Sequence, residues 1–190
     1  MTKIITLGTE VYVTDPCYSV PTWCQLKLKD VLPGEWIATM IYDELGGTNR
    51  NAELHLIHKD YQSSGNLVYD WFGDFGVDSG QAGVFDAASY RDDAAAAGIT
   101  TPRVDFVLPG DKNEGDAWYE AMCRFTLAQD GWGAYDAGAV SSSGWGDGEY
   151  PVYGAENEDG KTVALNLVFI DQSGDLEDDD EDPFDEDLDD

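Results

Sequence analysis

The chain has 190 residues, enough for one domain with a proper core and too few for two. Its 39 acidic residues against 10 basic ones give a formal net charge of −29 at pH 7, which sets it against DNA, RNA and anionic lipid and makes basic protein surfaces its natural partners. No apolar run approaches the ~20 residues of a membrane span, and MTKIITLGTE lacks the apolar segment of a secretion signal, so a cytoplasmic address with reduced thiols at Cys17, Cys24 and Cys123 is expected.

In chain order, ITLGTEVYVTDP (5–16) alternates around Val11 and Val13 and predicts a strand stopped at Asp15-Pro16. EWIATMIYDE (35–44), AELHLIHKDY (52–61) and NLVYDWFGDFGV (66–77) predict three more strands, with a turn at Gly46-Gly47 after the first of them. The alanine-rich FDAASYRDDAAAAG (85–98) predicts a helix closed by Gly98. GDAWYEAMCRFTL (115–127) fits either element: Trp118, Met122 and Phe125 recur at helical spacing, while CRFTL favours a strand. YPVYGA (150–155) and KTVALNLVFI (161–170) flank Asp159-Gly160, a strong hairpin signal. No internal repeat is evident.

The pattern predicts a mostly β, α+β fold, a twisted antiparallel sheet or small sandwich with one or two helices, over residues 1–174. The last sixteen residues, DLEDDDEDPFDEDLDD (175–190), hold twelve acids and no base, and are expected to form a disordered acidic tail. Within it Asp182, Phe184, Asp185, Glu186 and Leu188 combine acids with apolar residues, a pattern suited to docking on a basic partner; a purely solubilising role fits as well.

The residues that could carry chemistry leave several readings open. Zinc is disfavoured: Cys17 and Cys24 are too far apart for the usual tight pair, and His55 and His58, three apart on a strand, face opposite ways. A Cys17 nucleophile with a histidine base has no identifiable third member. The glycine-rich WFGDFGVDSGQAGVFD (71–86) carries Asp74, Asp78 and Asp86; such turns either bind calcium through oxygens or hydrogen-bond their own backbone. Its spacing is not that of an EF-hand, and no other cofactor is expected. VSSSGWGDGEYPVY (140–153) reads as a wide turn entering a strand, with Trp145, Asp147 and Tyr150 available to a ligand.

VYVTDPCYSVPTWC (11–24), GVDSGQAGVFD (76–86), WYEAMC (118–123) and VSSSGWGDGEYPVY (140–153), in this order, resemble a family of uncharacterised bacterial and phage proteins related to the domain of unknown function 4241. The resemblance implies a phage or prophage accessory protein with a shared fold, and brings no activity with it. It marks Asp15, Cys17, Tyr18, Trp23 and Cys24, then Asp78, Ser79, Gln81 and Asp86, and finally Trp145, Asp147 and Tyr150 as candidates to line a pocket. The expected function is binding: inhibition of a host protein by mimicry of the nucleic-acid charge that its basic surface recognises. The alternatives are a small-ligand binder or sponge using the Gly-Asp-aromatic loops, and an enzyme using Cys17 or the carboxylates of Asp78 and Asp147.

Overall fold

The computed structural model describes residues 2–44 and 46–172. Its elements are β1 (Thr2–Leu7), β2 (Glu10–Thr14), β3 (Leu26–Lys29), β4 (Gly34–Tyr42), β5 (Asn51–His58), β6 (Asp70–Val77) and β7 (Gln81–Asp86). They continue with α1 (Asp93–Ala96), α2 (Asp116–Thr126), β8 (Trp132–Tyr135), β9 (Gly138–Ser142), β10 (Gly148–Glu156) and β11 (Thr162–Val168). A short 3-10 turn, Lys59–Tyr61, follows β5. The tail residues Asp182, Phe184, Asp185, Glu186 and Leu188 lie outside the described residues.

Two antiparallel sheets result, one in the order β1-β4-β5-β11-β10-β6 and the other β3-β2-β7-β9-β8. The fold is therefore α+β and mostly β, an open sandwich. Alternation along the strands decides what goes between the sheets. Trp36, Leu54, Leu56, Leu165 and Phe75 face inward from the first sheet and meet Val11, Val13, Val84 and Trp132 from the second. Helix α2 covers the outer face of the second sheet. Its stripe of Trp118, Ala121, Met122 and Phe125 packs on Phe85 and Val140, which settles the helix-or-strand choice at 115–127. Phe125 approaches so closely that a Cβ on Gly133 would lie 2.0 Å from its ring. No helix among the described residues is long and apolar enough to cross a membrane.

Two sequence expectations change. ITLGTEVYVTDP is not one strand: β1 ends at Leu7 and pairs with β4, whereas β2 joins β3 and β7 in the other sheet. Gly8 marks the switch, its N–H donating to Asp86 Oδ2 at 2.6 Å. The helix expected over 85–98 shrinks to Asp93–Ala96, because Phe85 pairs with Tyr12 and Gly138 in the sheet and Arg91 takes a positive φ of 56°. The strand expected over 66–77 forms as β6 from Asp70, and the glycine-rich 71–86 runs from it through three residues that cross from one layer to the other into β7, in the second sheet.

Candidate functional site

The crossing at 78–80 is held by one carboxylate. Asp15, directly after β2, has 0% of its surface exposed. Its Oδ1 accepts from Cys17 N at 2.8 Å and Ser79 Oγ at 2.7 Å, and its Oδ2 from Asp78 N at 2.9 Å and Ser79 N at 2.6 Å. The loop that follows is clamped from behind. Tyr90 Oη donates to the carbonyls of Asp15 and Tyr18, and Arg91 Nη1 to those of Pro16 and Cys17.

Residues 19–25 then form a tied turn. Thr22 N donates to Gln25 Oε1 at 2.8 Å, Thr22 Oγ1 to the Ser19 carbonyl, and Gln25 N to the Thr22 carbonyl. Buried Cys24 anchors it to β6, its carbonyl accepting from Gly76 N at 2.9 Å. Trp23 is left 94% exposed on this fixed turn. Beside it opens a cleft of about 630 Å³ whose walls are Tyr18 and Trp23, Asp74 and Asp78, and Asp147 and Glu149. The antiparallel register of β6 on β10, with Gly148 opposite Val77 and Pro151 opposite Asp74, sets the last two pairs of acids side by side. Among the described residues no Lys or Arg lines the cleft.

A family model described as "Protein of unknown function (DUF4241)" matches residues 8–167. The chain belongs to the DUF4241 family. No curated protein and no solved structure matches it. The DUF4241 match takes in every residue named in the cleft.

Of the residues singled out in the sequence, Tyr18, Trp23, Cys24, Asp74, Asp78 and Asp147 meet at this cleft, so three separate stretches of the DUF4241 domain converge there. Burial, helped by hydrogen bonding to Cys24 and Asp78, pushes the Tyr18 hydroxyl well up, so it remains protonated and able to donate. The others are placed elsewhere. Ser79 and Asp15 hold each other, and Gln81 is buried beneath α2, where Thr126 Oγ1 donates to its Oε1 at 2.9 Å. Asp86 accepts from Gly8 N and Ala88 N at the far end of β7. Tyr150 is buried between Phe75 and Phe169, its hydroxyl donating to the Gly146 carbonyl at 2.8 Å. Trp145 turns to a second groove, of about 690 Å³, with Arg50 stacked 4.6 Å from its ring centroid. The turn over 143–146 that carries Trp145 needs glycine: Gly144 has φ of 62°, and a Cβ there would lie 2.8 Å from the Asn51 carbonyl.

Cys17 is a poor nucleophile. Burial first, then the negative charge of Asp15, push its thiol far above the ordinary range. The histidines sit on the six-stranded sheet with partners of their own: His55 Nε2 shares a hydrogen bond with Tyr69 Oη, and His58 Nδ1 accepts from Asp60 N. His58 points into the core and His55 out of it. No group of three or more His, Cys, Asp or Glu side chains among the described residues is arranged to hold a metal ion. Glu149 is the cleft residue that sequence reasoning missed. Nothing local marks it; only the long-range pairing of β10 with β6 brings it to the cleft.

Proposed function

We propose that this DUF4241 protein acts by binding, and that its partner is a basic protein surface entering the cleft beside Trp23. The observation that carries this reading is the convergence of Asp74, Asp78, Asp147 and Glu149 on one concavity with an exposed tryptophan and, among the described residues, no base in its lining. Six of the molecule's ten bases are neutralised elsewhere. Lys27, Lys59, Lys112, Lys161, Arg91 and Arg124 are each paired with a carboxylate, on Glu10, Glu35, Glu120, Asp30, Asp116 and Glu120 respectively. Asp15 and Asp43 are buried, but Asp74, Asp78, Asp147 and Glu149 face solvent and steer a cationic partner over long range. The partner is then a nucleic-acid-binding protein of the host cell, whose basic groove the protein occupies in place of phosphates, with the acids of 175–190 adding to the attraction. The free thiols of Cys17, Cys24 and Cys123 suit action in a reducing cytoplasm.

An anionic small ligand finds less support: Arg91, Arg124 and Lys161 are tied to separate carboxylates and Arg50 to Trp145. The groove at Trp145, walled by Pro151, Phe169 and Ile170, favours an apolar ligand as the second reading. Affinity capture from host lysate distinguishes them. A basic protein should be retained at about 50 mM salt and released near 0.5 M. It should also be lost from the full-length Asp78→Asn/Asp147→Asn variant. Retention that ignores both salt and the two substitutions rules out the charge-driven reading.

A further inference from the structure

The identity of the group that enters the cleft follows from its walls. Trp23 offers a whole indole face to solvent, and no aromatic or cationic side chain among the described residues covers it. Two other rings of the molecule show what such a cover looks like: the Arg50 guanidinium lies over Trp145, and that of Arg91 lies 5.8 Å from the Tyr119 centroid. Acids share the cleft with Trp23, Asp74 and Asp78 from the β6 end beside Asp147 and Glu149 from the β10 start. Trp71 Nε1 donates to Asp74 Oδ1 at 3.1 Å, holding one of these carboxylates toward its place. A flat cation that stacks on an indole and donates in its own plane to carboxylates answers every wall at once. An ammonium also sits over rings, as Lys3 does over Trp132 at 5.1 Å, but it is a compact, strongly hydrated charge without the planar fork that stacks and donates in its own plane together.

We propose that the cleft takes an arginine side chain of the partner, its guanidinium stacked on Trp23 and hydrogen-bonded to the carboxylates of Asp78 and Asp147. This rests on the reading of the cleft as the entry point for a basic partner, and adds the recognition of arginine over lysine. The turn bearing Trp23 is tied at Ser19, Gln25 and Gly76, so stacking orders little that is not already ordered.

Calorimetric titration of the full-length chain with hexa-arginine and with hexalysine tests it. The charge of the acidic C-terminal residues acts alike on the two peptides, so the ratio of their affinities reads the ring. Hexa-arginine should bind about two- to five-fold more tightly, the effect of one exposed cation–π contact. Trp23→Ala should remove that preference while leaving hexalysine binding nearly unchanged, and Asp78→Asn/Asp147→Asn should weaken both peptides. Equal binding of the two peptides by the wild-type chain overturns the arginine assignment and leaves the basic-partner reading standing, as does a preference that survives Trp23→Ala. Failure of both peptides to bind overturns the two together.

Discussion

Asp15 and Trp23 stand near opposite ends of one loop and have opposite roles. Asp15 is buried and saturated by backbone and hydroxyl donors, so Asp15→Ala strands the N–H groups of Cys17, Asp78 and Ser79 at a sheet crossing. The expected loss is on the order of 3 kcal/mol, read from denaturant melts. Trp23 is almost wholly exposed, so Trp23→Ala should change stability by no more than about 0.5 kcal/mol. Trp36→Ala, in the core, should cost roughly 3–5 kcal/mol in the same melts. A Trp23→Ala loss approaching that of Trp36 would mean the ring is packed rather than presented. The sequence alone marks both Asp15 and Trp23 but cannot separate them: a carboxylate that anchors a turn and one that meets a ligand look the same until its donors are known. Cys17 illustrates the same limit, because only the fold reveals that burial and the charge of Asp15 push its thiol up.

At the scale of elements, α2 depends on a cap from a distant residue. Gly115, at its N-cap, has no side chain to cap with; Asp93 instead accepts from Gly115 N at 2.8 Å and Trp118 N at 3.0 Å. Burial alone would raise the Asp93 carboxyl, but the N–H groups of Trp118 and Gly115 outweigh it and hold it below the ordinary aspartate range. A carboxyl depressed by folding stabilises above its unfolded pKa and loses that contribution as pH falls through the folded value. Asp93→Ala should therefore cost about 1–2 kcal/mol at neutral pH, with the gap closing below about pH 4. A gap independent of pH in thermal melts would contradict the cap. Strands with their own alternation and a hairpin marked by Asp159-Gly160 were legible in the sequence, and so was the spacing of Trp118, Met122 and Phe125. The short β3, β8 and β9 were not, since four or five residues give too little periodicity to read. At 85–98 the alanines misled because strand pairing of Phe85 outweighs helix propensity.

For the molecule as a whole, charge is the strongest influence. A formal charge of −29 opposes compaction through self-repulsion, so raising salt from about 10 mM to about 0.15 M should raise the melting temperature, as screening shortens to roughly 8 Å. A fall over that range would mean that the ion pairs outweigh the repulsion. The same acidity was legible in the composition, but its focus was not: the cleft exists only because β6 and β10, far apart in the chain, pair and place Asp78 beside Asp147. Hydroxyl-radical footprinting of the full-length protein, free and saturated with hexa-arginine, tests that convergence most directly. Docking in the cleft predicts protection of Trp23 and of the segments 74–78 and 147–149, with Trp145 as reactive in the complex as in the free protein. Trp23 unchanged while Trp145 or another surface becomes protected would contradict it.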